Sequence, residues 1–262
     1  MALEWDPNKK GAYSNCQLVS EWLLSLDASF HSERLLWGVH QVLESSRWKL
    51  EDLDALGVGV GPGSFTGLRI GVTTARTLAG IMKKPLLGVS SLAALARPAA
   101  LSMAETHKNT IIIAATDACK GELFAVVGAA PAVSECVCMA SGDVPGLWKR
   151  GVEEKVYSPE ELIALVQRKL AQNKTAKWLV VGEGRSRYTD VWKKLPAARE
   201  AQPVFPFPDQ IQGRYLGMLA WEAFQAGLLQ EPLSVEPRYL RASDAEIKLA
   251  AGLLPPGPKR DS

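Results

Sequence analysis

Gly61-Pro-Gly-Ser-Phe-Thr-Gly67, followed at once by Leu68-Arg-Ile-Gly71, packs three glycines and a proline into seven positions. Glycine reaches backbone angles closed to other residues and proline fixes its own, so Gly61, Pro62, Gly63, Ser64, Phe65, Thr66 and Gly67 predict a tight turn with little freedom. Where a strand hands over to a helix, such a turn can offer backbone N–H groups to an anion; a purely structural turn is the other reading. The spacing excludes two nucleotide loops, because neither G-x-x-x-x-G-K-[ST] nor G-x-G-x-x-G can be laid on it. Ser64 invites a nucleophile reading, yet the G-x-S-x-G elbow needs glycine where Pro62 stands, and no Ser-His-Asp order accompanies it. Asp117 is the candidate carboxylate for a metal or base role.

Metal chemistry finds little material. His31, His40 and His107 include no pair three or four residues apart, and Cys16, Cys119, Cys136 and Cys138 fit no zinc spacing, so the thiols read as ordinary reduced cysteines. Lys and Arg number 30 against 28 Asp and Glu, and a net charge of +2 provides no field that would capture a phosphate backbone unaided. Met1 to Lys10 carries Glu4, Asp6 and Pro7 without an apolar targeting core, and no run approaches the ~18 apolar residues of a membrane helix. A cytoplasmic protein without a membrane partner is expected. With 262 residues, 47% of them hydrophobic, the chain can fill one large domain or two lobes.

The elements that must position these residues follow from periodicity. Leu35, Leu36, Val39, Val42 and Leu43 share one helical face, which predicts a helix from Ser29 to Glu44 with Ser29 as N-cap. Leu56 to Gly61 reads as a buried strand, and Leu68 to Met82 as a helix stopped by Lys83-Lys84-Pro85. Within it Gly67, Gly71, Ala75 and Ala79 recur every four residues, a stripe suited to close helix approach, either inside the molecule or against a partner. Pro85 to Val89 predicts a strand, and Ser90-Ser91 caps a helix over Leu92 to Leu95 that ends near Pro98. Asn109 to Ala115 and Glu122 to Gly128 form two strands around the turn Asp117-Ala-Cys-Lys-Gly121, and residues 129–151 are irregular or a weak hairpin. Ser158-Pro-Glu-Glu161 starts a helix with Leu162, Val166 and Leu170 on one face. Trp178 to Val181 is a strand, Pro203 to Pro208 a crossing segment, and Tyr215, Leu219, Ala223 and Phe224 mark a further helix. The tail from Leu254 is expected to be disordered. Interleaved strands and helices of this length predict an α/β protein.

The run from Gly61 to Gly71 resembles the TsaB (YeaZ) family of the actin-like ATPase superfamily, in which GPGSFTGLRIG joins a buried strand to a helix. Three more segments agree in order: His31-Ser-Glu-Arg-Leu-Leu36, Gly88-Val-Ser-Ser-Leu92, and Pro237-Arg-Tyr-Leu-Arg-Ala-Ser-Asp-Ala-Glu246. Asp117 to Glu122 is similar to the family's Asp-Ala-Arg-x-Gly-Glu hairpin with Cys119 in place of arginine, and Gly182-Glu-Gly184 follows a strand as a G-x-G does there. The departure lies at the start, where relatives carry Asp-Thr-Ser and this chain offers Glu4 and Trp5.

The resemblance implies two ribonuclease H-like lobes: residues 1–106 with the glycine motif and docking helices, 107–207 as a smaller lobe, 208–248 returning towards the first, and 249–262 as tail. It implies a degenerate nucleotide cleft and no catalytic residues, bound cofactor or metal in this chain, with ATP or ADP confined to a partner interface. The implied role is a scaffold for the catalytic paralogue TsaD and the ATPase TsaE in tRNA threonylcarbamoyladenosine synthesis, with self-association when TsaD is absent. Transfer RNA would be met only through the complex. The implied contact face lies on the first-lobe helices, with Leu36, Val39, Arg69, Val72, Ala75, Arg76 and Ala79 as candidates. Two other readings stand beside it: an ATP-dependent transferase or kinase using Gly61 to Gly67 and Asp117, and a peptidase using Ser64.

Overall fold

The computed structural model describes residues 1–5, 16–23, 31–106, 109–129, 138–140, 144–146, 152–202 and 209–242. Ser29, the Pro203 to Pro208 segment, Cys136 and the tail from Leu254 lie outside the described residues. The first third contains β1 (Ala2–Trp5), β2 (Cys16–Ser20), α1 (His31–Ser46), β3 (Leu56–Gly61), α2 (Phe65–Met82), β4 (Leu86–Ser90) and α3 (Ser91–Thr106). There follow β5 (Thr110–Asp117), β6 (Leu123–Ala129), the short pair β7 (Cys138–Ala140) and β8 (Val144–Gly146), and β9 (Lys155–Tyr157). The last third holds α4 (Pro159–Gln172), β10 (Lys177–Val181), α5 (Glu183–Arg187), α6 (Thr189–Trp192) and α7 (Gly213–Gln225).

The chain is an α/β protein. A four-stranded sheet runs in the order β10-β5-β6-β9, with β10 and β5 parallel and the other pairs antiparallel. Strands β3 and β4 pair in parallel, and β1 and β2 pair antiparallel, each as a separate two-stranded sheet. Alternation along β5 sends Ile112 and Ala114 to one face of the larger sheet and Ile111, Ile113 and Ala115 to the other. On the first face lie α3 and α7, and on the second the α4 residues Leu162, Val166 and Leu170. Ser158 caps α4, its hydroxyl accepting from the Glu161 N–H while the Glu161 carboxylate accepts from the Ser158 N–H, the reciprocal box its sequence predicts.

The boundaries of two helices differ most from the sequence reading. Helix α2 begins at Phe65, three residues earlier than expected, because the Ser64 hydroxyl accepts from the Gly67 N–H and caps it there. Helix α3 runs through Pro98 to Thr106 instead of ending there. Proline in a helix interior costs about 3 kcal/mol. Leu92, Ala93, Ala94, Ala96, Ala99, Ala100 and Met103 are all buried around α3, and this burial outweighs one missing N–H.

Small residues set how closely the layers meet. A methyl at Gly57 would lie 2.8 Å from Ala220 Cβ, so α7 presses directly onto the β3 backbone. Across the same layer the fully buried Arg97 of α3 pairs with Glu222 of α7. Burial pushes the Glu222 carboxyl up to about 7, with Arg97 pulling the other way. A carboxyl raised on folding contributes stability that is complete below its unfolded value and is lost as pH rises through the folded one. For Glu222 this window spans its ordinary 4.5 to about 7. Urea unfolding across that window is expected to show stability falling with pH in the native chain and a shallower slope in Glu222→Gln.

Candidate functional site

Strand β3 delivers the glycine turn to the start of α2. Gly61 sits at φ +118°, and a methyl there would lie 2.7 Å from the Arg238 carbonyl, so the chain's own returning segment occupies the space beside it. Gly61 and Pro62 are buried, whereas Gly63, Ser64, Phe65, Thr66 and Gly67 are exposed. The first N–H groups of α2 are met locally: Gly67 N–H donates to Ser64 Oγ at 3.3 Å and Leu68 N–H to the Ser64 carbonyl at 2.9 Å. Ser64 is therefore a helix cap. Phe65 stacks at a tilt on Tyr239, centroids 4.7 Å apart, and the Arg69 guanidinium lies 5.3 Å over the Phe65 ring.

The Asp117 turn is equally engaged. Asp117 Oδ1 accepts from the Tyr188 hydroxyl at 2.7 Å, and Oδ2 pairs with Arg187 at 3.0 Å. Its backbone N–H donates to Glu183 at 3.1 Å. Burial, then the bond to Asp117, push the Tyr188 phenol up to about 12, so it stays a donor at neutral pH. Cys119 and Lys120 adopt positive φ, and Ala118 N–H closes the turn on the Glu122 carbonyl at 2.9 Å. Gly182 and Gly184 hold α5 against β5, each methyl position colliding with Ala115. Among the described residues no three His, Cys, Asp or Glu side chains gather as a metal-holding group.

The outer surface of α1 and α2 is of another kind. Leu36 is 57% exposed and Trp37 47%, and Trp37 meets the exposed Trp22 edge to face at 5.4 Å. Val39 is half-buried and Val42 faces the core. On α2 the sequence expectation is corrected at two positions: Val72 is 1% exposed and Ala79 0%, both packed with Val60, Leu86 and Val235. Their seven-residue separation returns a helix to the same side, here the inner one. Ala75 is half-buried against the same cluster, and Arg76 donates to the Leu233 carbonyl at 2.9 Å, leaving Arg69 as the exposed candidate on this helix. Opposite Val72 lie the exposed Thr73, Thr77 and Ile81, the last 75% exposed.

Sequence reasoning passed over Trp22, Trp37, Thr73, Thr77 and Ile81. On α2 the signal was the four-residue spacing of the uncharged Thr73, Thr77 and Ile81, masked by the more regular stripe of small residues. Ala75→Glu is accordingly expected to lower the melting temperature of the isolated chain by several degrees, through burial of a charge beside Val60 and Leu86. Thermal denaturation followed by circular dichroism checks this, with Thr77→Glu as the control that leaves it unchanged.

A family model described as TsaD, tRNA N6-adenosine threonylcarbamoyltransferase, matches residues 25–249. The tRNA threonylcarbamoyladenosine biosynthesis protein TsaB of Escherichia coli is 31% identical over 232 residues, covering 84% of each chain. The protein of the same name from Haemophilus influenzae is 30% identical over 211 residues, covering 80% of each. Among solved structures, YeaZ from Pseudomonas aeruginosa aligns with a TM-score of 0.58 at 26% identity, covering 82% of this chain and 87% of that one. On this combination of glycine turn, α/β architecture and near full-length similarity, the chain belongs to the TsaB (YeaZ) family of tRNA threonylcarbamoyladenosine biosynthesis proteins.

Proposed function

We propose that this chain is a non-catalytic subunit that docks onto its TsaD paralogue and supports threonylcarbamoyl transfer to the adenosine next to the anticodon in tRNAs reading ANN codons. The observation that carries the reading is the group of large apolar side chains left exposed on and beside α1 and α2, where Trp22, Leu36, Trp37 and Ile81 stand in water in the isolated chain. Large exposed apolar groups clustered in this way mark contact surfaces.

The TsaE ATPase joins the same assembly, tRNA is reached through it, and a second copy of this chain covers the face when TsaD is absent. ATP or ADP, where it takes part, belongs at the partner interface. The transferase reading gains nothing from Asp117, whose carboxylate is already committed to Arg187 and Tyr188, and the peptidase reading gains nothing from Ser64, which caps α2.

The test is size-exclusion chromatography with light scattering on this chain mixed with the TsaD of the same organism, with and without ATP. A one-to-one species absent from either protein alone is expected. Two separate peaks under every nucleotide condition would overturn the docking role.

A further inference from the structure

Helical crossovers in α/β folds leave a crevice at the carboxyl ends of parallel strands, and ligands of such folds seat there. In this chain the carboxyl ends of β3, β4 and β5 converge on one short stretch of backbone, residues 238–241. Each residue of that stretch grips a different element. Arg238 N–H donates to the Val60 carbonyl at the end of β3, at 2.7 Å. Its guanidinium pairs with Glu154 at 2.7 Å. Glu154 is buried and accepts from the hydroxyl of Ser90 at the end of β4. Tyr239 stacks on Phe65 of α2. Leu240 packs on the cluster around α3. Arg241 donates to the Ala118 carbonyl just beyond β5 at 2.7 Å and pairs with Glu122 at 3.4 Å.

We propose that residues 238–241 form a strap that closes the carboxyl-end crevice from within and lifts as a unit, with buried Glu154 as its anchor on one side and the Ala118 to Glu122 turn on the other. The contacts divide as this requires. The strap adds no strand to either neighbouring sheet; besides the packing of Leu240, its hold includes one main-chain bond, two arginine anchors and an aromatic pair. The Arg238 and Arg241 side chains remain partly open to water at 19% exposure each, whereas the anchor Glu154 is 1% exposed. Cooperative units held by a few solvent-accessible contacts open at lower free energy than the sheet cores they lie on. The polar groups that these contacts cover, the Glu154 carboxylate and the Val60 and Ala118 carbonyls, are all acceptors.

Hydrogen exchange on the full chain, read at single amides by NMR, tests the proposal. The Arg238 amide is expected to exchange at least 100-fold faster than the Ile113 amide in the core of β5. Arg241→Met keeps the apolar stem and removes the distant anchor; it is expected to speed the Arg238 amide at least tenfold further and to leave Ile113 unchanged. Glu122→Gln weakens the same anchor from the surface side and serves if Arg241→Met does not fold. An Arg238 amide that exchanges in step with Ile113 would make the segment a fixed part of the global fold. An Arg238 rate indifferent to loss of the Arg241 anchor would leave two unconnected contacts. Either result overturns the strap.

Discussion

Trp37→Asp is expected to weaken binding to the TsaD paralogue at least thirty-fold while leaving the melting temperature of the isolated chain within about 2 °C. The asymmetry follows from where the ring stands. Trp37 is 47% exposed on α1 and its ring meets Trp22, itself exposed, edge to face, so the core behind it, at Val42, is untouched by the change. Tryptophans near the middle of an interface commonly contribute 2 kcal/mol or more, which is about thirty-fold in a dissociation constant. A carboxylate adds a desolvation cost that alanine would not. Isothermal titration against TsaD measures the first quantity and thermal denaturation the second. Unchanged affinity would move the docking surface off α1. Equal loss of affinity and stability would mean that Trp37 supports the fold.

The second large effect lies at Gly182. An alanine there must adopt φ +95°, which costs about 1–3 kcal/mol for a residue with a side chain. Its methyl would also collide with Leu95 and lie 2.5 Å from the Ala115 carbonyl, an overpacking of about 1–3 kcal/mol more. Gly182→Ala is therefore expected to lose about 3 kcal/mol or more in urea unfolding. Gly63→Ala, in open space and without a positive φ, is the matched control and should change stability by less than about 0.5 kcal/mol. A small loss at Gly182 would show that α3 can withdraw Leu95 without penalty.

What the sequence revealed and what it hid divide along physical lines. Local signals were readable: the Ser158 capping box, the end of α2 at Met82 before a left-handed Lys83, and the Leu56 to Gly61 strand depend on neighbours in the chain. Helix α3 was cut short because Pro98 speaks locally, whereas the burial that overrides it comes from β5 and α7. Val72 and Ala79 were counted on the contact face of α2 for a related reason, although both are buried. Gly67, Gly71, Ala75 and Ala79 announce close approach without saying to what; Val60, Leu86 and Val235 supply the answer for Ala75 and Ala79, whereas Gly71 faces open space. Arg97 gave no sign of burial, since its partner Glu222 lies 125 positions away. The Asp117 turn was located correctly, but its neutralisation by Arg187 and Tyr188 required the tertiary structure.

The edge-to-face contact of Trp22 and Trp37 also gives the molecule a spectroscopic asymmetry. Trp178 and Trp192 are enclosed, with their indole N–H groups donating to the Pro196 and Gly184 carbonyls, whereas the exposed pair emits into water. Iodide, which reaches solvent-facing indoles first, should therefore quench a red-shifted fraction of the fluorescence and spare a blue one. Occlusion of the α1 surface would reduce the red fraction by the share of Trp22 and Trp37, so the native chain can report its own state of assembly without a label.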